Sequence, residues 1–249
     1  MRKNKLLLII PDVHGRKFWK EALETGSYEK VIFLGDYADP YEEEGITEEE
    51  AIDNFKDIIA YKQQNPRRVV LLLGNHDLHY YSDYYCDIAV GSRYSPSAAI
   101  TLQPLFQDNK KLFQLAWEKD WGERHYLFSH AGITMSWFMR NLHQIQKPDA
   151  THLNRLLKTN EGLETLAQVG AIRWGVYPSG SAVWADSSEL SVSNPLPDTY
   201  QIVGHTIQFD GPVITNKYAC LDCLAAFSLN SKGEIKPVTE IPSVADIFY

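Results

Sequence analysis

The sequence predicts an α/β fold built on buried parallel strands, and three observations carry that expectation. Three apolar runs, Leu6-Leu7-Leu8-Ile9-Ile10, Val31-Ile32-Phe33-Leu34 and Val69-Val70-Leu71-Leu72-Leu73, are too short for helices and too uniform for strands with one wet face. Between them, apolar residues recur at helical intervals: Phe18, Trp19, Ala22 and Leu23, then Ile52, Phe55, Ile58 and Ile59. Each run also ends in a turn rich in ligand-type side chains: Pro11-Asp12-Val13-His14-Gly15, Gly35-Asp36-Tyr37-Ala38-Asp39 and Gly74-Asn75-His76-Asp77. Strand–helix–strand–helix–strand order implies right-handed crossovers and parallel neighbours. Sheets of that kind bind ligands at the carboxyl ends of their strands, where these turns fall.

The elements follow in order. The first helix is expected from Arg16 to about Leu23, ending near Gly26. Thr47-Glu48-Glu49-Glu50 has the capping-box pattern, in which the Thr side chain takes a backbone N–H and Glu50 reaches back. The helix it opens should run to about Gln64, where Asn65-Pro66 stops it. From 78 to 121 the pattern is helical but interrupted. Tyr80, Tyr81, Tyr84 and Tyr85 suit helix packing better than base stacking, residues 91–96 form a loop near the rim, and 98–117 carry apolar residues three and four apart. A strand over 125–128 enters Ser129-His130-Ala131-Gly132, and helical stretches are expected over 134–145 and about 151–169. Residues 178–197, rich in Ser, Pro and Gly, read as an irregular excursion. Gln201-Ile202-Val203 leads into Gly204-His205-Thr206, and the segments 213–215, 218–222, 225–229 and 235–238 look like an antiparallel meander.

Composition narrows the function. No Pro/Gly/Ser-rich linker divides the 249 residues, so one domain over 1–249 is the simplest organisation. A formal charge of −8 argues against a long nucleic acid as partner. A small phosphorylated substrate stays open, because bound divalent ions can reverse the local sign. The acidic runs 42–44 and 48–50 read as a solvated loop and a first helical turn. Three cysteines make no disulfide framework, and Cys220-Leu221-Asp222-Cys223, without a second such pair, reads as a core strand rather than a zinc site. The basic start, Met1-Arg2-Lys3-Asn4-Lys5, precedes an apolar run too short for a signal peptide, and no segment reaches transmembrane length. A reducing, cytoplasmic setting and no membrane partner are expected.

The strand-end motifs collect Asp12, His14, Asp36, Asn75, His130 and His205. Mixed Asp/His/Asn donors suit Mn, Fe, Zn or Ni rather than an all-oxygen calcium cage. Two ions roughly 3.5–4 Å apart need a bridging group, which the carboxylate of Asp36 can supply. Such a pair lowers the pKa of a shared water towards neutrality and neutralises a phosphoryl oxygen. His76, next to the Asn, is placed to protonate a leaving alkoxide, with Asp39 or Asp77 orienting it. His79, His125, His143 and His152 read as structural or surface residues.

DVHG, GDYAD, GNHD, SHAG and GHT, in that order, resemble the calcineurin-like metallophosphoesterase superfamily. The closer likeness is to its phosphoprotein-phosphatase branch, which includes the symmetrical diadenosine-tetraphosphate hydrolases. The resemblance implies a two-sheet mixed β-sandwich flanked by helices, in four αββα layers. It also implies Asp12, His14 and Asp36 on one metal, and Asp36, Asn75, His130 and His205 on the other. His76 matches the family's proton donor and Asp39 the carboxylate that orients it. GHT followed by Ile207 resembles this branch rather than the nuclease-like one, which ends GHxH. Gly74-Asn75-His76-Asp77-Leu78-His79 and His130-Ala131-Gly132-Ile133-Thr134 look like the dinucleoside-polyphosphate hydrolases, and Trp184-Ala185-Asp186 like the WSD segment of the protein phosphatases.

This chain also departs from the pattern. Pro11 stands where the family usually has Gly, and Pro40-Tyr41 where it has the Arg-Gly whose Arg grips substrate phosphate. No Arg lies between Trp184 and Gly204, where a second phosphate-binding Arg is expected. Arg93 and Arg173 are the substitutes the sequence offers. The expected function is a phosphoesterase using two divalent ions, with Mn favoured, to cleave a phosphomonoester or phosphoprotein by metal-bound hydroxide. The alternatives are a symmetrical dinucleoside polyphosphate hydrolase, with a nucleotide substrate, and a non-catalytic scaffold of the same fold.

Overall fold

Side chains of the first strand alternate between two interiors: Leu8 and Ile10 meet helices, whereas Leu7 and Ile9 meet a second sheet. A strand buried on both faces needs an apolar residue at every position, which is why its sequence shows no alternation. The computed structural model describes residues 5–89, 91–192 and 196–243. The basic start at 1–4 and part of the irregular stretch 178–197 lie outside the described residues.

In chain order the elements are β1 (Leu6–Ile10), α1 (Phe18–Glu24), β2 (Lys30–Phe33), α2 (Glu48–Gln64), β3 (Val69–Leu72), α3 (Asn75–Tyr81), α4 (Asp83–Ile88), α5 (Pro96–Asp108), β4 (Phe113–Gln114), β5 (Ala116–Trp121), β6 (Arg124–Ser129), α6 (Met135–Asn141), α7 (Ala150–Arg155), α8 (Asn160–Leu166), α9 (Ser187–Val192), β7 (Tyr200–Val203), β8 (Val213–Ile214), β9 (Tyr218–Cys220), β10 (Phe227–Asn230) and β11 (Ile235–Pro237). One sheet has the order β11-β10-β1-β2-β3-β4 and the other β5-β6-β7-β9-β8. β1, β2, β3 and β4 are parallel, and so are β6, β7 and β9.

The sheets pack face to face through Leu7, Ile9, Ile32, Leu34, Val70 and Leu72 on one side and Tyr126, Phe128, Tyr200, Ile202 and Ala219 on the other. The outer face of the first sheet, with Val31, Phe33 and Leu71, is covered by Trp19 of α1, Phe55 and Ile58 of α2 and Phe106 of α5. Leu153 of α7 packs with Ala116 and Leu127 of the second sheet, and Leu190 of α9 with Val203. This is the expected four-layer sandwich. Thr47 and Glu50 form the expected capping box at the start of α2. Among the described residues no helix is long and apolar enough to cross a membrane.

The structure corrects the sequence reading in three places. The helical pattern over 98–117 ends at Asp108, and β4 and β5 follow. β5 pairs antiparallel with β6 from Ala116↔Ser129 to Trp121↔Arg124, so distant backbone partners override the local spacing. The chain changes sheets at Leu115 and Ala116, whose N–H groups both donate to Asn154 Oδ1 at 2.7 and 2.9 Å. The helices expected over 134–145 and 151–169 are shorter, because Thr134, Asp149 and Thr159 each cap a separate helix. The meander is instead two hairpins in different sheets: β8–β9 in the second and β10–β11 in the first.

Candidate metal centre

All the strand-end motifs converge on one rim. Asp12 and His14 follow β1, Asp36 follows β2, Asn75 opens α3 after β3, His130 follows β6 and His205 follows β7. The neighbours β1, β2 and β3 run parallel, as do β6 and β7, so their carboxyl ends meet across the sandwich. Asp12, His14, Asp36, Asn75 and His130 are between 0% and 3% exposed, and His205 is partly buried.

Asp36 lies at the middle. Its Oδ2 is 3.4 Å from His130 Nε2 and 3.6 Å from His14 Nε2, a position between two donor groups. Its Oδ1 accepts the His76 N–H at 3.1 Å. Around His130 Nε2 stand Asn75 Oδ1 and His205 Nδ1, each at 3.0 Å. Donor atoms of His14, Asp36 and His76, and separately of Asp36, His130 and His205, lie within 4.8 Å of one another. Asp12 joins through its backbone neighbourhood: His205 N–H donates to its Oδ1 at 2.9 Å, and Arg16, paired twice with Glu44 at 2.6 and 2.8 Å, reaches its carbonyl.

The backbone is bent sharply to aim these groups. His14, Asp36, Asp39 and His205 have φ of 43°, 53°, 57° and 67°, in the left-handed region that costs roughly 1–3 kcal/mol per non-glycine residue. Asp77 anchors one such turn, accepting N–H groups of Asp36 and Gly74 at Oδ2 (2.7 and 2.8 Å) and Tyr37 at Oδ1 (3.0 Å). Glycine leaves the necessary room: a Cβ on Gly74 would lie 2.0 Å from Asp36 Oδ1, and one on Gly204 would lie 2.1 Å from Asp12 Oδ1.

The donor set fits cations. His14 Nδ1 lies 2.9 and 3.0 Å from the carbonyls of Ala38 and Asp39, which fixes its proton there and turns the Nε2 lone pair towards Asp36. His130 likewise donates from Nδ1 to the Leu34 carbonyl at 3.0 Å, so its Nε2 is the nitrogen turned to Asn75 Oδ1, His205 Nδ1 and Asp36 Oδ2. His205 Nε2 is buried with no hydrogen-bond partner among the described residues. Acceptors facing one another require positive charge between them. The protonation tendencies agree. Burial opposes charge on His130, yet the carboxylates of Asp36 and Asp12 outweigh it and carry its pKa to about 10. Burial pushes His14 and His205 well down, the latter helped by Arg173, whereas burial raises Asp12. Asp77 is pushed up to about 7 by burial and then by the Asp36 charge.

Of the two carboxylates proposed to orient His76, the geometry selects Asp39. His76 Nδ1 donates to Asp39 Oδ2 at 2.8 Å, while Asp77 holds backbone. Tyr80, read from sequence as packing, also donates its hydroxyl to Asp39 Oδ1 at 2.5 Å and receives the Ser95 N–H at 3.0 Å. Of the two arginines singled out by the sequence, Arg93 contacts His14 and Asp39 and Arg173 contacts His205 and Thr206. Arg93 stacks 3.7 Å from the Tyr41 ring centroid and donates to the Asp39 carbonyl at 2.8 Å. Arg173 donates to Thr206 Oγ1 at 2.9 Å and pairs with Asp186 at 3.3 Å, and its Nε is buried without a partner among the described residues. Trp184 sets its ring edge-on to His205, with centroids 5.7 Å apart. Tyr81 and Tyr85 are core residues, as expected, and His79 is buried among the rings of Tyr85 and Tyr94. His125 and His152 sit beside Asp120 and Asp149 away from the centre.

No match is found among curated protein sequences. Solved structures similar to this chain include a hypothetical protein from Pyrococcus horikoshii, 9% identical, with a TM-score of 0.47, covering 98% of this chain and 90% of that one. A metallophosphoesterase from Sphaerobacter thermophilus is 12% identical, with a TM-score of 0.42 and coverage of 98% and 91%. A novel archaeal phosphodiesterase is 11% identical, with a TM-score of 0.34 and coverage of 93% and 98%. The family model for the calcineurin-like phosphoesterase matches residues 6–209, a span that runs from β1 past His205. The chain therefore belongs to the calcineurin-like phosphoesterase family.

Proposed function

We propose that this protein hydrolyses phosphomonoesters, including phosphoserine or phosphothreonine in protein, at a centre of two divalent ions. The observation that carries the reading is the His76–Asp39 pair beside the shared Asp36 carboxylate. Asp12, His14 and Asp36 would hold one ion, and Asp36, Asn75, His130 and His205 the other. When bound, the ions supply Lewis acidity that activates water and neutralises phosphoryl oxygens. Manganese is the ion we favour, as the Asp/His/Asn donors suit it.

The chain's own residues do the rest. Asp39 holds the His76 proton on Nδ1, so a second proton on Nε2 makes an imidazolium whose Nε2 proton can pass to the leaving oxygen, leaving neutral imidazole. Its carboxylate stabilises that charged form. Asn75 directs its amide at the phosphoryl group from the start of α3. Arg173, with a spare Nε–H, and Arg93, across the centre, take the phosphate-gripping places. A cavity of about 450 Å³ opens beside Asp39 and Arg93, floored by Ile46, Ala51 and Leu102, with Glu42 and Glu48 at its edge. Its carboxylates disfavour a second polyphosphate-bearing half, which weighs towards the monoester over the dinucleoside polyphosphate.

Rates on a phosphopeptide, p-nitrophenyl phosphate, diadenosine tetraphosphate and bis-p-nitrophenyl phosphate with added Mn²⁺ test this. The two monoesters should turn over fastest. Faster cleavage of either diester-type substrate would overturn the monoester reading, and inertness towards all four would leave a non-catalytic scaffold.

A further inference from the structure

Asp222 is the one member of Cys220-Leu221-Asp222-Cys223 that a core strand does not explain. Ala219, Leu221 and Cys223 point between the sheets, while Tyr218 and Cys220 lie on the opposite face. Alternation puts Asp222 on the Cys220 side, and Cys220 Sγ contacts the carbonyls of Gly204 and Thr206, which flank His205, at 3.4 and 3.3 Å. The parallel register pairs Val203 with Cys220, so two residues further on Asp222 stands level with His205 at the carboxyl-end rim. Gln208 N–H, from the loop after His205, donates to the Asp222 carbonyl at 2.7 Å.

Asp222 is 3% exposed, and its Oδ1 has no hydrogen-bond partner among the described residues. The neighbouring donors are engaged elsewhere. His205 N–H serves Asp12, the Gln208 side chain serves the Thr206 carbonyl at 2.7 Å, and Arg16 is paired twice with Glu44. A buried carboxylate lacking donors keeps its charge only where positive charge completes it.

We propose that Asp222 is a seventh member of the cation-holding set, its carboxylate facing the ion on the Asp12–His14 side. This rests on the two-ion reading above. Sequence spacing hides it, because nothing near Asp222 resembles a ligand motif and its neighbours are core residues.

Mn²⁺ titration calorimetry and thermal melting of the full chain, with and without Mn²⁺, test the assignment on wild type, Asp222→Asn and Asp222→Ser. Wild type should bind two equivalents. In both variants one Mn²⁺ should bind roughly 10–100-fold more weakly, the range typical of lost supporting carboxylates, with the other unchanged. Without metal the near-isosteric Asp222→Asn should melt at or above wild type, since an unpaired buried carboxylate is gone. Wild-type affinity for both ions in the variants would overturn the assignment, as would a metal-free Asp222→Asn that melts lower. A wild type that binds no Mn²⁺ would overturn the two-ion reading along with it.

Discussion

His76 donates from Nδ1 to Asp39 Oδ2 at 2.8 Å, across 37 residues of sequence, and the pair lies in contact with the donor groups of His14 and Asp36. The ring of His76 meets that of His14 edge-on with centroids 5.1 Å apart, so the proposed proton donor and the proposed ion-holding groups share one wall. Removing the acid should spare the ions. His76→Ala is expected to keep both metals by elemental analysis and to lose about 10²-fold or more in turnover. Loss of an ion in that variant would make His76 a ligand instead.

Tyr80 reaches the same carboxylate from the other side. Its hydroxyl donates to Asp39 Oδ1, and Ser95 N–H donates to the hydroxyl. Tyr80→Phe removes one of two bonds that fix the Asp39 plane. Turnover should fall by roughly 3–10-fold, about 1 kcal/mol as for one net hydrogen bond, with KM and metal content unchanged.

Gly204→Ala tests crowding at the rim. An added Cβ would lie 2.1 Å from Asp12 Oδ1, which must swing away from the His205 N–H it accepts. The variant should keep a native far-ultraviolet circular dichroism spectrum while its Mn²⁺ stoichiometry falls from two towards one.

Asp77 is structural, and its loss should read as stability. Three buried backbone N–H groups, from Asp36, Tyr37 and Gly74, end on its carboxylate. Asp77→Ala leaves all three unpaired, at about 1–3 kcal/mol each. Thermal melting of metal-free protein should drop by roughly 10 °C or more, at about 2–4 °C per kcal/mol for a chain of this size.

Chelation supplies the converse test. Ions that bind only the folded state add about 2.7 kcal/mol per site at a free concentration 100 times Kd. Treatment with a chelator should lower the melting temperature by roughly 10 °C or more and abolish turnover, and Mn²⁺ should restore both. An unchanged melting temperature would deny the centre its ions.

Much of the first sheet was readable because its strands are buried on both faces, so that Leu7 through Ile10 leave no ambiguity about period. The capping box at Thr47 was readable because it is local. β5 was not. Ala116-Trp117-Glu118-Lys119-Asp120-Trp121 mixes charges with apolar residues on an edge strand, and it is a strand because β6 supplies its hydrogen bonds. Assignment of the β8–β9 and β10–β11 hairpins to different sheets depended likewise on partners far away in sequence.

The sequence by itself determined the chemistry available at the rim: Asp12, His14, Asp36, Asn75, His76, His130 and His205 stand at strand ends, and strand ends in a parallel sheet gather at one edge. Only the tertiary structure decided what serves those side chains. Tyr80 donates to Asp39 beside His76, Asp77 is spent on the N–H groups of Asp36, Tyr37 and Gly74, and Asp222 is buried with its Oδ1 unpaired among the described residues. Strand position follows from short-range apolar pattern, whereas a hydrogen bond between residues 37 or more apart exists only once packing has set the distance between them.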